Sequence, residues 1–185
     1  MTAEPPPAGV ILAGGLSRRM GVDKAFVEID GRAMVVRVAD ALRAAGCHPV
    51  VCQGGDEAIA TSFGIEVLPD PSPAAGPLPA IRAALQYHGG PVLIAACDLA
   101  DLGPESVRAL IGAGRSDPMP LVAVASAAGR RHLLSYWSPL ALAPLTALVA
   151  ERVTAYHVAL DRIGALEVSV DPAAVRNVNR PEDLS

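Results

Sequence analysis

At 185 residues the chain has the length of a single domain with room for a sizeable core. Hydrophobic residues make up 51% but aromatics only 3%, so that core must be built from Ala, Val, Leu and Ile. A formal net charge of −4 excludes nucleic-acid binding by bulk electrostatics, and an anion has to be held by a local basic site.

The opening Thr2-Ala3-Glu4-Pro5-Pro6-Pro7 has no basic n-region and no apolar h-region, so it is not a signal peptide. Residues 1–7 are expected to form a flexible arm. Val10-Ile11-Leu12-Ala13 then reads as a buried strand, stopped abruptly by Gly14-Gly15. Glycines there let backbone N–H groups approach a ligand closely. Ser17, Arg18, Arg19 and Lys24 follow, gathering donors and positive charge where the strand ends, which suits a polyphosphate. Lys24 is the only lysine among 15 basic residues, a compact ammonium in a chain that otherwise uses the planar guanidinium. The spacing is neither a Walker A loop nor the dinucleotide G-x-G-x-x-G pattern.

Residues 25–29 alternate weakly and meet the turn signal Asp30-Gly31. Over 32–45 the apolar positions Met34, Val35, Val38, Ala41, Leu42 and Ala45 recur at helical spacing, with Gly46 as the stop. A strand over 49–52 closes on Gln53-Gly54-Gly55; a helix over 56–62 and a strand over 65–68 complete a β-α-β unit. Between 69 and 79 stand five prolines in eleven residues, which predicts a stiff loop, followed by a helix over 80–87. The all-apolar strand 91–97 ends at Asp98, the second strand-end carboxylate after Asp70. Pro104 opens a helix running to about Gly112.

Strands over 121–126 and 132–137 flank Ala128-Gly129-Arg130, as in a hairpin; helices follow over 139–150 and 154–163, then a strand over 166–170. In the tail, Asn177 and Asn179 stand just before a Pro-Glu-Asp helix start. There is no internal repeat and no linker. Strands alternating with helices predict a single α/β domain, a mostly parallel central sheet covered on both faces in a three-layer α/β/α arrangement. Ligands bind outside the carboxyl ends of such strands, where Gly14-Gly15, Gln53, Asp70 and Asp98 all fall.

Nucleotidyl transfer needs a triphosphate held, charge on the departing pyrophosphate offset, and a metal bridging phosphate oxygens. Magnesium takes one or two carboxylates plus phosphates and water. Asp98 is the candidate ligand, because an acid closing a buried apolar strand is costly to desolvate unless it faces a cleft; a cap ahead of Pro104 is the other reading. Asp101 is a weaker second carboxylate, and the surface is its favoured reading. Asp70 reads both as a nucleotide contact and as a turn cap. Cys47, Cys52 and Cys97 are odd in number and lack C-x-x-C spacing, so they read as buried thiols. Cys97 has no histidine placed to activate it. His132 fits a cleft or a hairpin surface, and Tyr136 and Trp137 a stacking platform or a core. Asn177 and Asn179 point to one side if extended, and otherwise form a turn. No apolar run reaches membrane-spanning length, and the chain reads as cytoplasmic.

The run L-A-G-G-x-S-x-R-M-G-x-D-K, here from Leu12 to Lys24, resembles the signature of nucleotidyltransferases with a Rossmann-like fold, most closely the molybdenum cofactor guanylyltransferases of the MobA family. The resemblance implies a magnesium-dependent transfer of GMP from GTP onto molybdopterin. It assigns the GTP phosphates to Leu12, Ala13, Gly14, Gly15, Arg19 and Lys24, the nucleotide also to Gln53 and Asp70, and magnesium to Asp98. Gly76-Pro77-Leu78 matches a motif near the guanine, and Asn177 to Leu184 matches N-V-N-x-P-E-D-L of the molybdopterin half. It further implies transient contact with proteins that insert molybdenum or mature molybdoenzymes, and no nucleic acid or membrane partner. The chain departs from the family at Pro79-Ala80, where Ala-Gly is usual, at Gln53, commonly Asn, and at Leu99-Ala100 after Asp98. Ala-Gly-Gly in the loop leans toward guanylyl over cytidylyl transfer. A cytidylyltransferase, an enzyme with another phosphorylated acceptor, and a nucleotide-binding regulator without turnover are the alternatives.

Overall fold

The strand and helix signals resolve, in chain order, into β1 (Ala8–Leu12), a small hairpin of β2 (Glu28–Ile29) and β3 (Arg32–Ala33), α1 (Met34–Ala44), β4 (Val50–Gln53), α2 (Glu57–Ser62), β5 (Glu66–Leu68), α3 (Pro77–His88), β6 (Val92–Ala96), α4 (Pro104–Gly114), β7 (Val122–Ala127), β8 (Arg130–Trp137), α5 (Leu142–Ala150), α6 (Tyr156–Ile163) and β9 (Leu166–Ser169). This is a computed structural model, and it describes residues 5–14, 27–29, 31–72 and 75–177. Seven strands form one sheet in the order β5-β4-β1-β6-β8-β7-β9. All neighbours are parallel except those of β8, which runs antiparallel to both β6 and β7.

Successive strand residues face opposite sides of a sheet, so an apolar strand in the middle feeds two cores. Ile11, Leu93, Ala95, Ala123 and Tyr136 join Val38, Leu42, Val107 and Leu110 of α1 and α4 on one face. Val10, Leu12, Ile94, Val124 and Trp137 join Ile81, Leu145 and Leu160 of α3, α5 and α6 on the other. Each fully buried aliphatic side chain stabilises by roughly 1.5–3 kcal/mol. The result is the α/β/α layering that alternation of strands and helices predicts.

Several boundaries shift for local reasons. Helix α1 starts at Met34 because Arg32 and Ala33 pair with Ile29 and Glu28 instead. Helix α3 starts at Pro77, inside the stretch read as a stiff loop. Prolines at its first and third positions forfeit only N–H groups that have no partner within the helix. Its N-cap Gly76 has φ +77°, and a Cβ there would lie 3.0 Å from the Thr154 carbonyl, so glycine is required twice over. The 139–150 segment divides into a 3-10 turn, Pro139–Ala141, where Ser138 Oγ accepts from the Leu140 N–H, and α5. Of the expected arm, Pro5 and Pro7 are tied down: their carbonyls accept from Arg115 Nη2 at 2.7 Å and from the His48 N–H at 3.0 Å. Among the described residues no helix is long and apolar enough to cross a membrane.

Candidate functional site

Because β5, β4, β1 and β6 are parallel neighbours, their carboxyl ends share one edge, and backbone bonds lace those ends together. The Gln53 carbonyl accepts from the N–H groups of Ala13 (3.1 Å) and Gly14 (3.2 Å). The Leu68 carbonyl accepts from Gly54 N–H at 2.8 Å, and that of Leu12 from Cys97 N–H at 3.3 Å. Gly14 therefore leaves the middle of the row, exposed, with the Asp70 end on one side and the Asp98 end on the other.

Contact explains the glycines. A Cβ on Gly14 would lie 2.5 Å from Asp70 Oδ2, and one on Gly54, at φ +75°, would lie 2.9 Å from Gly14 Cα. Asp70 takes the turn-cap role that is one of its two sequence readings. Its Oδ1 accepts from the Ser72 N–H at 2.9 Å, a side-chain-capped turn, while its Oδ2 rests against Gly14. Asp98 is half-buried in the turn that leaves β6.

The remaining sequence candidates divide by burial. Leu12 and Ala13 are buried and offer backbone only. Gln53 is 2% exposed; its Nε2 donates to the Pro69 carbonyl at 2.8 Å, and its Oε1 has no hydrogen-bond partner among the described residues. The side chain thus works from behind, bracing the residue that precedes Asp70. Gly76 is exposed and Pro77 half-buried at the start of α3, which follows the β5 end, whereas Leu78 is fully buried in the core beneath. Asn177 is exposed at the end of the described chain. Gly15, Ser17, Arg18, Arg19, Lys24 and Asn179 lie outside the described residues.

Tyr136 and Trp137 are core residues, not a stacking platform; both are completely buried. Ser135 Oγ accepts from Trp137 Nε1 and Tyr156 Oη, each at 2.8 Å, and burial pushes the Tyr156 phenol up. Cys47 and Cys52 are buried, and burial raises the Cys47 thiol to about 12, so it is inert at neutral pH. His132 is half-buried near the start of β8, whose antiparallel register, Leu134 opposite Ala95, brings it to the same edge of the sheet as Asp98.

Sequence reasoning missed one cluster. Asp101 is an ion-pair centre, with Arg176 Nη2 at 2.9 Å and Arg37 Nη2 at 3.7 Å. Its partners lie 75 and 64 positions away (176 − 101 and 101 − 37), beyond the reach of any local spacing signal.

Asp70 and Asp98 supply hard carboxylate oxygens, and the described residues contain no group of three or more His, Cys, Asp or Glu side chains able to enclose a metal. A carboxylate such as that of Asp98 is an oxygen donor of the kind magnesium takes beside water and phosphate.

Residues 9–162 match the family model of the MobA-like NTP transferase domain. The chain belongs to this family. It is a nucleotidyltransferase. A molybdenum cofactor guanylyltransferase of Rhizobium meliloti (strain 1021) is 35% identical over 197 residues, covering 97% of this chain and 88% of that protein. A "probable molybdenum cofactor guanylyltransferase" of Pelotomaculum thermopropionicum is 43% identical over 101 residues, 54% of this chain and 49% of that one. The fold is shared with the crystal structure of molybdopterin-guanine dinucleotide biosynthesis protein A from Archaeoglobus fulgidus, with a TM-score of 0.76 at 23% identity, covering 96% of this chain and 94% of the other.

Proposed function

We propose that this member of the family transfers GMP from GTP to the terminal phosphate of molybdopterin. An acceptor phosphate oxygen attacks the α-phosphorus, the bond to the β-phosphate breaks, and pyrophosphate leaves. The observation that carries the reading is the lacing of β1 to β6: it sets the exposed Gly14 turn beside the Asp98 turn at one edge. Two carboxylates at an edge that takes a triphosphate would repel it unless cations intervene. Lys24, Arg19 and the glycine-loop amides supply positive charge to the phosphates, and Asp98 is the residue that would hold magnesium. That ion adds charge stabilisation on the phosphate oxygens. Asp70 and the backbone of Gly76-Pro77-Leu78 face the nucleoside end, with Gln53 as the brace behind. Asn177 and Asn179 serve the acceptor. The likeness to guanylyltransferases along 97% of the chain supports GTP and molybdopterin as the substrates.

Pyrophosphate release with molybdopterin and each of the four nucleoside triphosphates, with and without magnesium, tests the reading. Turnover is expected with GTP and magnesium alone. Lys24→Ala should lower kcat by about two orders of magnitude or more, the loss expected for one donor to developing charge. Preference for CTP would make the chain a cytidylyltransferase, and GTP binding without turnover a regulator; either result overturns the proposal.

A further inference from the structure

Asp101 stands three residues after Asp98 and is gripped from two directions. Arg37 of α1 donates from Nε to the Ala100 carbonyl at 2.9 Å and brings Nη2 to 3.7 Å from Asp101 Oδ1. Arg176 donates from Nη2 to Asp101 Oδ2 at 2.9 Å. Arg176 immediately precedes Asn177 and follows the 3-10 turn Ala173–Val175, whose Ala174 and Val175 are buried, Val175 within the core on the α1 and α4 face. The tail is thus docked by an apolar plug and steered by a guanidinium. One carboxylate joins the first helix, the loop that carries Asp98 and the segment that carries Asn177.

Stability is not what this arrangement provides. The Asp101 and Arg176 side chains are 29% and 49% exposed, and ion pairs so accessible to water contribute little to folding. Orientation is different: an aspartate shared by two planar guanidiniums fixes direction as well as distance. We infer that Asp101 is a positioning residue that holds the Asp98 loop and the Asn177 tail as one unit, keeping a fixed spacing between the nucleotide and acceptor halves of the site. This deepens the proposed function and rests on its assignment of Asp98 and Asn177.

Asp101→Asn keeps the shape and removes the charge. GTP affinity by titration calorimetry should stay near the wild-type value, while KM for molybdopterin rises and kcat falls by about tenfold each, the size of one lost charge-assisted hydrogen bond. Arg176→Ala should reproduce the rise in acceptor KM, and the double variant should be no worse than Asp101→Asn alone, since that single change already disrupts the Arg176 contact along with the Arg37 pair. An unchanged acceptor KM, or an equal loss of GTP affinity, overturns the inference. Hydrogen exchange supplies an arm independent of turnover: Asp101→Asn should accelerate amides in 97–102 and 173–177 together and leave β1 and β4 untouched. Unaltered tail exchange overturns the inference even in an active enzyme. A wild-type protein that fails to turn over counts against the proposed function, and exchange then decides the inference by itself.

Discussion

The turn at Gly14 is crowded from both sides, by Asp70 Oδ2 and by the backbone of Gly54. A methyl group at Gly14 must push the carboxylate aside, and overpacking of this kind costs about 1–3 kcal/mol. Gly14→Ala should therefore lower Tm by roughly 2–10 °C and weaken GTP binding, as read by thermal denaturation and calorimetry. Adding Asp70→Ala should recover part of the Tm but not the binding. An unchanged Tm in Gly14→Ala would mean that the two residues do not touch. At this scale the sequence was informative where chemistry is local. A glycine pair after an apolar run, and acids after two others, stand out by composition. Gln53 did not. A polar residue at a strand end reads as a ligand contact, and no spacing signals its hydrogen bond to the Pro69 carbonyl, which gives it the part of a brace. Asp101 looked like a bystander because its partners are brought to it by the fold.

Element boundaries moved where tertiary contact overrode a local signal. Prolines 77 and 79 suggested a loop, yet the first turn of a helix is the one helical position that tolerates them, so α3 begins earlier. The reversal between β7 and β8 was legible from Ala128-Gly129, but not its geometry. Both residues take positive φ, +49° and +72°, as a two-residue hairpin of the primed type requires. An L-residue with a Cβ is disfavoured at the first position, whereas asparagine tolerates it. Ala128→Asn should thus stabilise by about 0.5–1 kcal/mol, seen as a Tm increase of roughly 1–4 °C with unaltered turnover. A lower Tm would show that the strain is already relieved by the surroundings.

Across the whole molecule, the three-layer plan and the edge that carries the site were readable from the order of apolar runs. The place of β8 between β6 and β7 was not, because a hairpin signal fixes the sense of its two strands but not which of them joins the rest of the sheet. Charge adds a global dependence on pH. Burial holds His88 below its usual range, so the unfolded chain takes up that proton first as the medium is acidified. Its contribution is complete above about pH 6.5 and is lost as pH falls through the folded value. The Tm of the wild type should decline across that interval, and His88→Gln should flatten it; identical slopes would place the dependence elsewhere. Lower still, Asp161 and Glu151 are held down by hydrogen bonds from Arg131 and Arg162, and that support disappears as they protonate. The reversed strand β8 bears on where the chain can be lengthened. Since β7 runs with β6 and β8 runs back, the exposed Ala128–Gly129 bend sits on the rim that also holds the glycine turn. Extra polypeptide spliced into that bend would raise a parapet beside the candidate site without stretching any helix-bearing connection, at an entropic penalty that grows only with the logarithm of its length. Evolution, or an engineer, thus has a spot at which to build beside the candidate site while leaving the parallel strands that carry Gly14, Asp70 and Asp98 alone.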